Sequence, residues 1–261
     1  MFQPIYELTK YRELLYMIAW RDIRIKYKQS IMGIMWAVFM PMIIVGAGVL
    51  VRYGLALVSN KAMDISDMGT VAVRAVPWAF FISSIRFSTS SLVANSSLIT
   101  KIYFPRIVFP IGAIISQLFD FIVAACLLIL ILSIMRIGIS IHLLWVPALV
   151  VILVVFTSGL GIFLSAVNLF YRDIKYLVEV ILTFAIFFTP VFFDVSMFGK
   201  WANVLMLNPV APILEGFSAC IVYQHGPSIP WISYSVAVSF GVFVFAWLVF
   251  RKLEPLFAER I

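Results

Sequence analysis

The sequence predicts an all-α integral membrane protein: six transmembrane helices, an N-terminal amphipathic interface helix, and two short re-entrant helices between helices 5 and 6. Three observations carry that prediction. Of 261 residues, 64% are apolar and 12% charged, against about 45 to 50% and about 25% in a soluble domain. The apolar residues form unbroken runs as long as the roughly 20 residues that cross a bilayer, without the alternation of a barrel strand. Lys and Arg, 19 against 12 Asp and Glu, fall mostly on alternate connections between those runs. A water-soluble globule is excluded, and 24 Phe, 7 Trp and 10 Tyr exclude a disordered chain. With connections, the length holds roughly five to seven spans and leaves no large soluble domain. Residues 1–261 therefore read as one transmembrane domain, energised by a separate chain.

Residues 1–28 are polar and charged, and the apolar run that follows ends without a small-residue cleavage site, so it stays as the first span. Lys10, Glu13, Arg21, Arg24 and Lys28 recur along one stripe, with Ile5, Leu8, Leu15, Ala19 and Ile23 broadly opposite, the pattern of a helix lying along the membrane face. By composition it is first a basic anchor for anionic headgroups. The sharper alternative makes Arg21, Arg24, Lys26 and Lys28 a phosphate-attracting entrance beside the first span.

Spans are expected at 31–51, 76–96, 107–135, 143–170, 176–193 and 231–250, which puts both ends on one side. That side carries thirteen cations: Lys10, Arg12, Arg21, Arg24, Lys26, Lys28, Lys101, Arg106, Arg172, Lys175, Arg251, Lys252 and Arg260. The other carries five, Arg52, Lys61, Arg74, Arg136 and Lys200. The positive-inside rule then places both termini in the cytoplasm and makes nucleic acid an unneeded partner. Residues 194–230 are nearly as apolar as the spans but are broken by Gly199, Pro209, Pro212, Gly226, Pro227 and Pro230. The pieces 201–207 and 210–223 are too short for about 30 Å of hydrocarbon. They read as re-entrant helices from the outer face, or alternatively as a pair lying flat in the interface.

Charges inside spans are costly and functional by default. Arg86 and Asp120 each lie about 18 to 20 Å from the cytoplasmic end at 1.5 Å per residue, level on adjacent antiparallel helices. An Arg86–Asp120 ion pair is expected; the rival has Arg86 facing a conduit. Trp36, Trp78, Trp145, Trp201 and Trp231, near span ends, read as interfacial belt residues. Phe80, Phe81, Phe187, Phe188, Phe192 and Phe193 either pack against lipid or offer flat faces to sugar rings. Gly33 with Ala37 and Gly161 with Ser165 permit close helix approach. Cys126 and Cys220 make no metal spacing, His142 and His225 lie far apart, and Gly199-Lys200 is followed by Trp201, so no nucleotide-phosphate loop occurs. No catalytic residue, metal site or chain-bound cofactor is expected.

Five stretches resemble the membrane subunits of type II ATP-binding-cassette exporters of lipid-linked polysaccharide, which move O-antigen, teichoic acid or related polymers. They are the run from Arg21 to Trp36 followed by Pro41; the run from Leu98 to Arg106; the run from Asn168 to Asp173; the run from Leu207 to Pro212; and Leu253-Glu254-Pro255 with Phe257-Ala258. They cover nearly the whole chain in the family's order. The resemblance implies a homodimer with a central conduit, for which Trp36, Phe80, Phe81, Arg86, Phe187, Phe188 and Phe192 are candidates. It implies two copies of a cytoplasmic ATPase that binds the ATP and Mg. It places a coupling helix at residues 95–106, with Asn95, Leu98, Lys101, Tyr103, Phe104, Pro105 and Arg106. Arg21, Arg24, Lys26, Tyr27 and Lys28 carry over as the diphosphate entrance. The expected substrate is an undecaprenyl-diphosphate-linked glycan and the expected location a bacterial inner membrane. The alternatives are teichoic acid, capsule or small-molecule export, and a polyprenyl-phosphate membrane enzyme. Residues 52–75 match no family pattern, nor does Arg86, whereas Leu118-Phe119-Asp120-Phe121 does, which favours a structural Asp120.

Overall fold

A computed structural model describes residues 11–28, 32–59, 65–99, 104–134 and 138–257. These form helices α1 (Arg12–Lys28), α2 (Met35–Ser59), α3 (Ile65–Ala94), α4 (Ser96–Ile99), α5 (Val108–Ile134), α6 (Trp145–Phe170), α7 (Ile174–Ala185), α8 (Ala202–Met206), α9 (Val210–Ile221) and α10 (Ile229–Leu253), with short 3₁₀ turns between them. Among the described residues, α2, α3, α5, α6 and α10 are long and apolar enough to cross a membrane. Lys10, Lys101 and Tyr103 lie outside the described residues.

Two spans extend well past their expected ends. The expected outer connection at 52–75 includes the last turns of α2 and the first turns of α3, so Arg52 and Arg74 sit within helices. Charge ends a hydropathy run, but a charge that finds a buried partner need not end a helix. The span expected at 176–193 is shorter. α7 has 12 residues, about 18 Å at 1.5 Å per residue, and a 3₁₀ turn, Ile186–Phe188, carries it little further. Thr189 then turns extended, at φ −127° and ψ 134°, because the ring of Pro190 pushes the preceding residue out of the helical region.

α3 is central. Its 30 residues pack against α2, α5, α6, α7 and α9, and its Trp78 is buried rather than belted at an interface. α6 lies between α3 and α10, and its glycines permit both contacts. A Cβ at Gly161 would stand 2.5 Å from Ser88 Oγ, and one at Gly159 2.8 Å from the Phe243 backbone nitrogen. Two large apolar cores and one small one result among the described residues. One large core joins Trp78, Phe81, Phe156, Ile213 and Phe217. The other, at the basic end, joins Leu92, Phe109, Ile162, Phe250 and Phe257. α9 is buried on nearly every side, whereas α2 buries few of its residues and α7 only Val178 and Leu182. Gly33 lies in the turn just before α2 at φ +53°, a backbone angle that side-chain-bearing residues seldom adopt.

Candidate functional site

α1 is held across the basic end of α5. It buries Ile18 and Ala19 over Gly112, where a Cβ would stand 3.1 Å from Ile18 Cγ2. Its polar residues separate into two groups. Arg21 donates to Asp22 Oδ1 at 2.8 Å and to Asn95 Oδ1 at 2.7 Å, which ties α1 to the end of α3. Lys26 pairs with Asp120 and donates to Gln117 Oε1 at 3.2 Å, while the Tyr27 hydroxyl donates to Asp120. Burial, then the hydrogen bond to Asp120 and that carboxylate's charge, push the Tyr27 phenol far above its ordinary pKa. It is therefore a fixed neutral donor.

Arg24 and Lys28 form the other group. Both are exposed and neither has a carboxylate partner among the described residues. Arg24 lies over the Trp20 ring at 5.4 Å. With Trp20, Ile23, Tyr27, Ile34 and Phe119 the two cations line an open crevice of about 430 Å³ beside the start of α2. Of the five entrance residues expected from sequence, three therefore hold α1 in place and two face open space. Spacing could not separate them, because the partners Asn95 and Asp120 are distant in sequence.

The expected Arg86–Asp120 pair is not formed. Asp120 faces α1 and is taken by Lys26 and Tyr27; Arg86 faces α7, where Nε lies 3.7 Å from Glu179 Oε1. Depth along antiparallel helices was the basis of the expectation, and depth says nothing of rotation about a helix axis. The Arg86 and Glu179 side chains are 51% and 54% exposed. A charge facing hydrocarbon costs at least about 2.5 kcal/mol, so this is not an ordinary lipid-facing surface.

The aromatic candidates also divide. Phe80 and Phe81 are buried, with ring centroids 5.4 Å from Phe121 and 6.0 Å from Phe156 respectively, so they pack the core, and Phe81 also lines a cavity between α3, α6 and α7. Phe192 is partly buried against Gly48. Trp36 is partly open, at 5.6 Å from Phe39, and Phe187 and Phe188 are 66% and 68% exposed.

In the 95–106 stretch, Asn95 donates to Ser91 O at 2.8 Å while accepting from Arg21. Leu98 and Pro105 are half-buried, and Phe104 meets Phe109 edge-on at 5.4 Å. Arg106 is joined to the chain's other end: its N–H donates to Glu254 Oε1 at 2.9 Å and its guanidinium to the Glu254 carbonyl. Asn168 makes a similar tie, donating to Thr89 O at 3.0 Å and accepting from the Lys175 N–H at 3.1 Å. Asn168 opens a recognised stretch, but no role could be read from it because its partners are backbone groups.

The far end holds a cluster that sequence reading missed. Arg52 and Arg74 are 5% and 0% exposed. Arg52 pairs with Asp67 at 2.6 Å and Asp194 at 2.8 Å, and donates to Phe192 O at 3.0 Å. Arg74 pairs with Asp194 at 2.9 Å and Glu215 at 2.8 Å, and donates to Ser218 Oγ and Phe193 O, each at 2.9 Å. α2, α3, α9 and the segment after α7 are thereby fastened together. The legible signal was two arginines in an apolar context with acids at 67, 194 and 215, but only the fold brings them together.

A bundle of long apolar helices, with a basic helix lying across one end, defines a multi-pass membrane protein. The chain matches the ABC-2 type transporter domain over residues 13–222, and it belongs to that family, as a permease subunit of a type II ATP-binding-cassette exporter. Membership implies a cytoplasmic ATPase partner. The chain is 26% identical over 266 residues to the O-antigen export system permease protein RfbA of Myxococcus xanthus, covering 100% of both chains. It is 25% identical over 257 residues to the protein of that name from Klebsiella pneumoniae, covering 97% of each.

Proposed function

We propose that the chain is the permease of an exporter that carries an undecaprenyl-diphosphate-linked polysaccharide across a bacterial inner membrane. It works as a homodimer whose two copies enclose the conduit, with both termini and two ATPase subunits on the cytoplasmic side. α7 and the segment after it make the fifth of six passes, and α8 and α9 dip in from the outer face. The observation that carries the reading is the division of the basic helix: Arg21 and Lys26 are engaged within the fold, while Arg24 and Lys28 stand open over an aromatic crevice. Two cations with no carboxylate partner among the described residues, beside an apolar wall, suit a diphosphate on a lipid tail, since the charges meet the phosphates and the wall accepts hydrocarbon.

In this reading, movement of the 95–106 stretch reaches the entrance helix directly through the Asn95–Arg21 contact. ATP shifts the arrangement only insofar as it binds one state more tightly than the other. The test is the double variant Arg24→Gln with Lys28→Gln, expressed with the partner ATPase. Surface polysaccharide is expected to fall at least about tenfold, at about 1.4 kcal/mol per decade of lost phosphate contact, with normal permease abundance. Unchanged surface polymer at normal abundance overturns the entrance assignment.

A further inference from the structure

The exposed face of α3 changes character along its length in a way the apolar spans do not. Across its middle, Ser83, Arg86 and Ser90 are all at least partly open and recur at three- and four-residue intervals, so they share one stripe of the helix. Beside Arg86, α7 presents Glu179, with Thr183 exposed one turn further on, among the exposed apolar residues Val180, Ile181 and Phe184. The outward residues of α5 are by contrast Ile115, Ile122 and Ile129. That is the surface expected against lipid, whereas the α3–α7 face sets an exposed ion pair and three hydroxyls among its apolar residues.

Each hydroxyl on this face is committed as a donor to its own helix. Ser83 Oγ donates to Phe80 O, Ser90 Oγ to the Arg86 and Phe87 carbonyls, and Thr183 Oγ1 to Glu179 O. What remains pointing outward is acceptor capacity on the hydroxyls, plus most of the Arg86 fork, which has one 3.7 Å approach to Glu179. Such a face is complementary to a ligand that both donates and accepts hydrogen bonds.

Its charge is balanced. Between the basic end and Arg52, the only charged side chains on the exposed faces of α2, α3 and α7 among the described residues are Arg86 and Glu179, apart from Lys175 at the start of α7. Arg24 and Lys28 stand together, without a carboxylate partner among the described residues, at the crevice beside α2. A polymer with a phosphate in every repeat would meet attraction there and then no net compensating charge among the described residues of α2, α3 and α7, where Glu179 offsets Arg86.

We infer that Ser83, Arg86 and Ser90 of α3, with Glu179 and Thr183 of α7, form a hydrated, charge-balanced wall that accepts uncharged polyhydroxylated chains and disfavours polyanions. The inference rests on the export reading and names its substrate class: a neutral glycan behind a single diphosphate, rather than a polyol-phosphate chain.

The test uses the full complex with its ATPase in lipid nanodiscs, with Cys126 and Cys220 replaced by serine and a Ser90→Cys probe. Methanethiosulfonates carrying a trimethylammonium or a sulfonate group report hydration and local charge together. Both reagents are expected to modify position 90, with a rate ratio within about threefold of that for a free thiol, whereas an Ile129→Cys control stays unmodified. Adding Glu179→Gln exposes the Arg86 charge and is expected to shift the ratio about tenfold toward the sulfonate, the size expected for one charge a few ångströms away at intermediate dielectric. No modification at position 90, because lipid or a second copy covers it, overturns the inference; so does a ratio that Glu179→Gln does not move. Export of lipid-linked poly(glycerol phosphate) as efficient as that of a neutral mannan overturns the substrate class alone. Export of neither, with position 90 still modified, refutes the exporter reading and supports the hydrated face.

Discussion

Replacing Asp120 by Asn removes the charge that holds α1 onto α5. In the native chain that carboxylate receives both Lys26 and the Tyr27 hydroxyl, and its side chain is 14% exposed, so water compensates little. Hydrogen bonds to a charged group contribute about 1.5 to 3 kcal/mol each. An amide retains a carbonyl for Tyr27, so the variant loses mainly the Lys26 contact. A cost of about 2 kcal/mol corresponds to a shift of about thirtyfold in the docking equilibrium of α1. Hydrogen exchange in nanodiscs reads this directly. Amide protection over residues 12–28 is expected to fall by about that factor in Asp120→Asn, while protection in α6 stays unchanged. Lys26→Gln should behave alike, and the double variant should lose little more than either single one, because both remove the same interaction. Unaltered protection of α1 in a folded Asp120→Asn protein, or additive losses in the double variant, would refute this account of how the helix is held.

Other consequences concern packing and the far end. Arg74→Met leaves Glu215 without its cation and Asp194 with Arg52 alone and is expected to destabilise by about 3 kcal/mol, seen as a lower thermal midpoint in detergent; Arg74→Lys should rescue only part, since a point charge cannot serve the directions of a guanidinium fork. Gly159→Ala drives a methyl into the Phe243 backbone and should cost about 1 to 3 kcal/mol, whereas Gly241→Ala, on the same helix pair but facing open space, should be neutral or slightly stabilising.

How much could be read in advance follows from the range of each signal. The membrane class and the all-helical fold come from hydrophobicity summed over many residues, so α5, α6 and α10 fall within a few residues of expectation. Helix ends set by charge were misplaced at Arg52 and Arg74, because the compensating carboxylates at 194 and 215 lie more than a hundred residues away. The helix expected through 176–193 ends at Phe188; hydropathy is blind to the local backbone restriction at Pro190 that stops it. Arg86 and Asp120 were rightly singled out as charges needing partners, yet the partners are Glu179 and Lys26. Helix rotation decided both, and rotation is a property of the packed bundle. The same limit governs the aromatics: Phe80 and Phe187 are alike in sequence context, but one faces the centre of the bundle and the other faces away.

The most direct measurement places the purified chain and its ATPase together in proteoliposomes and follows a lipid-linked neutral glycan from one leaflet to the other. Translocation that needs both proteins and ATP, and that drops in the Arg24→Gln, Lys28→Gln variant, is the predicted result. Translocation by this chain without the ATPase, or none by the complete complex, would contradict the account.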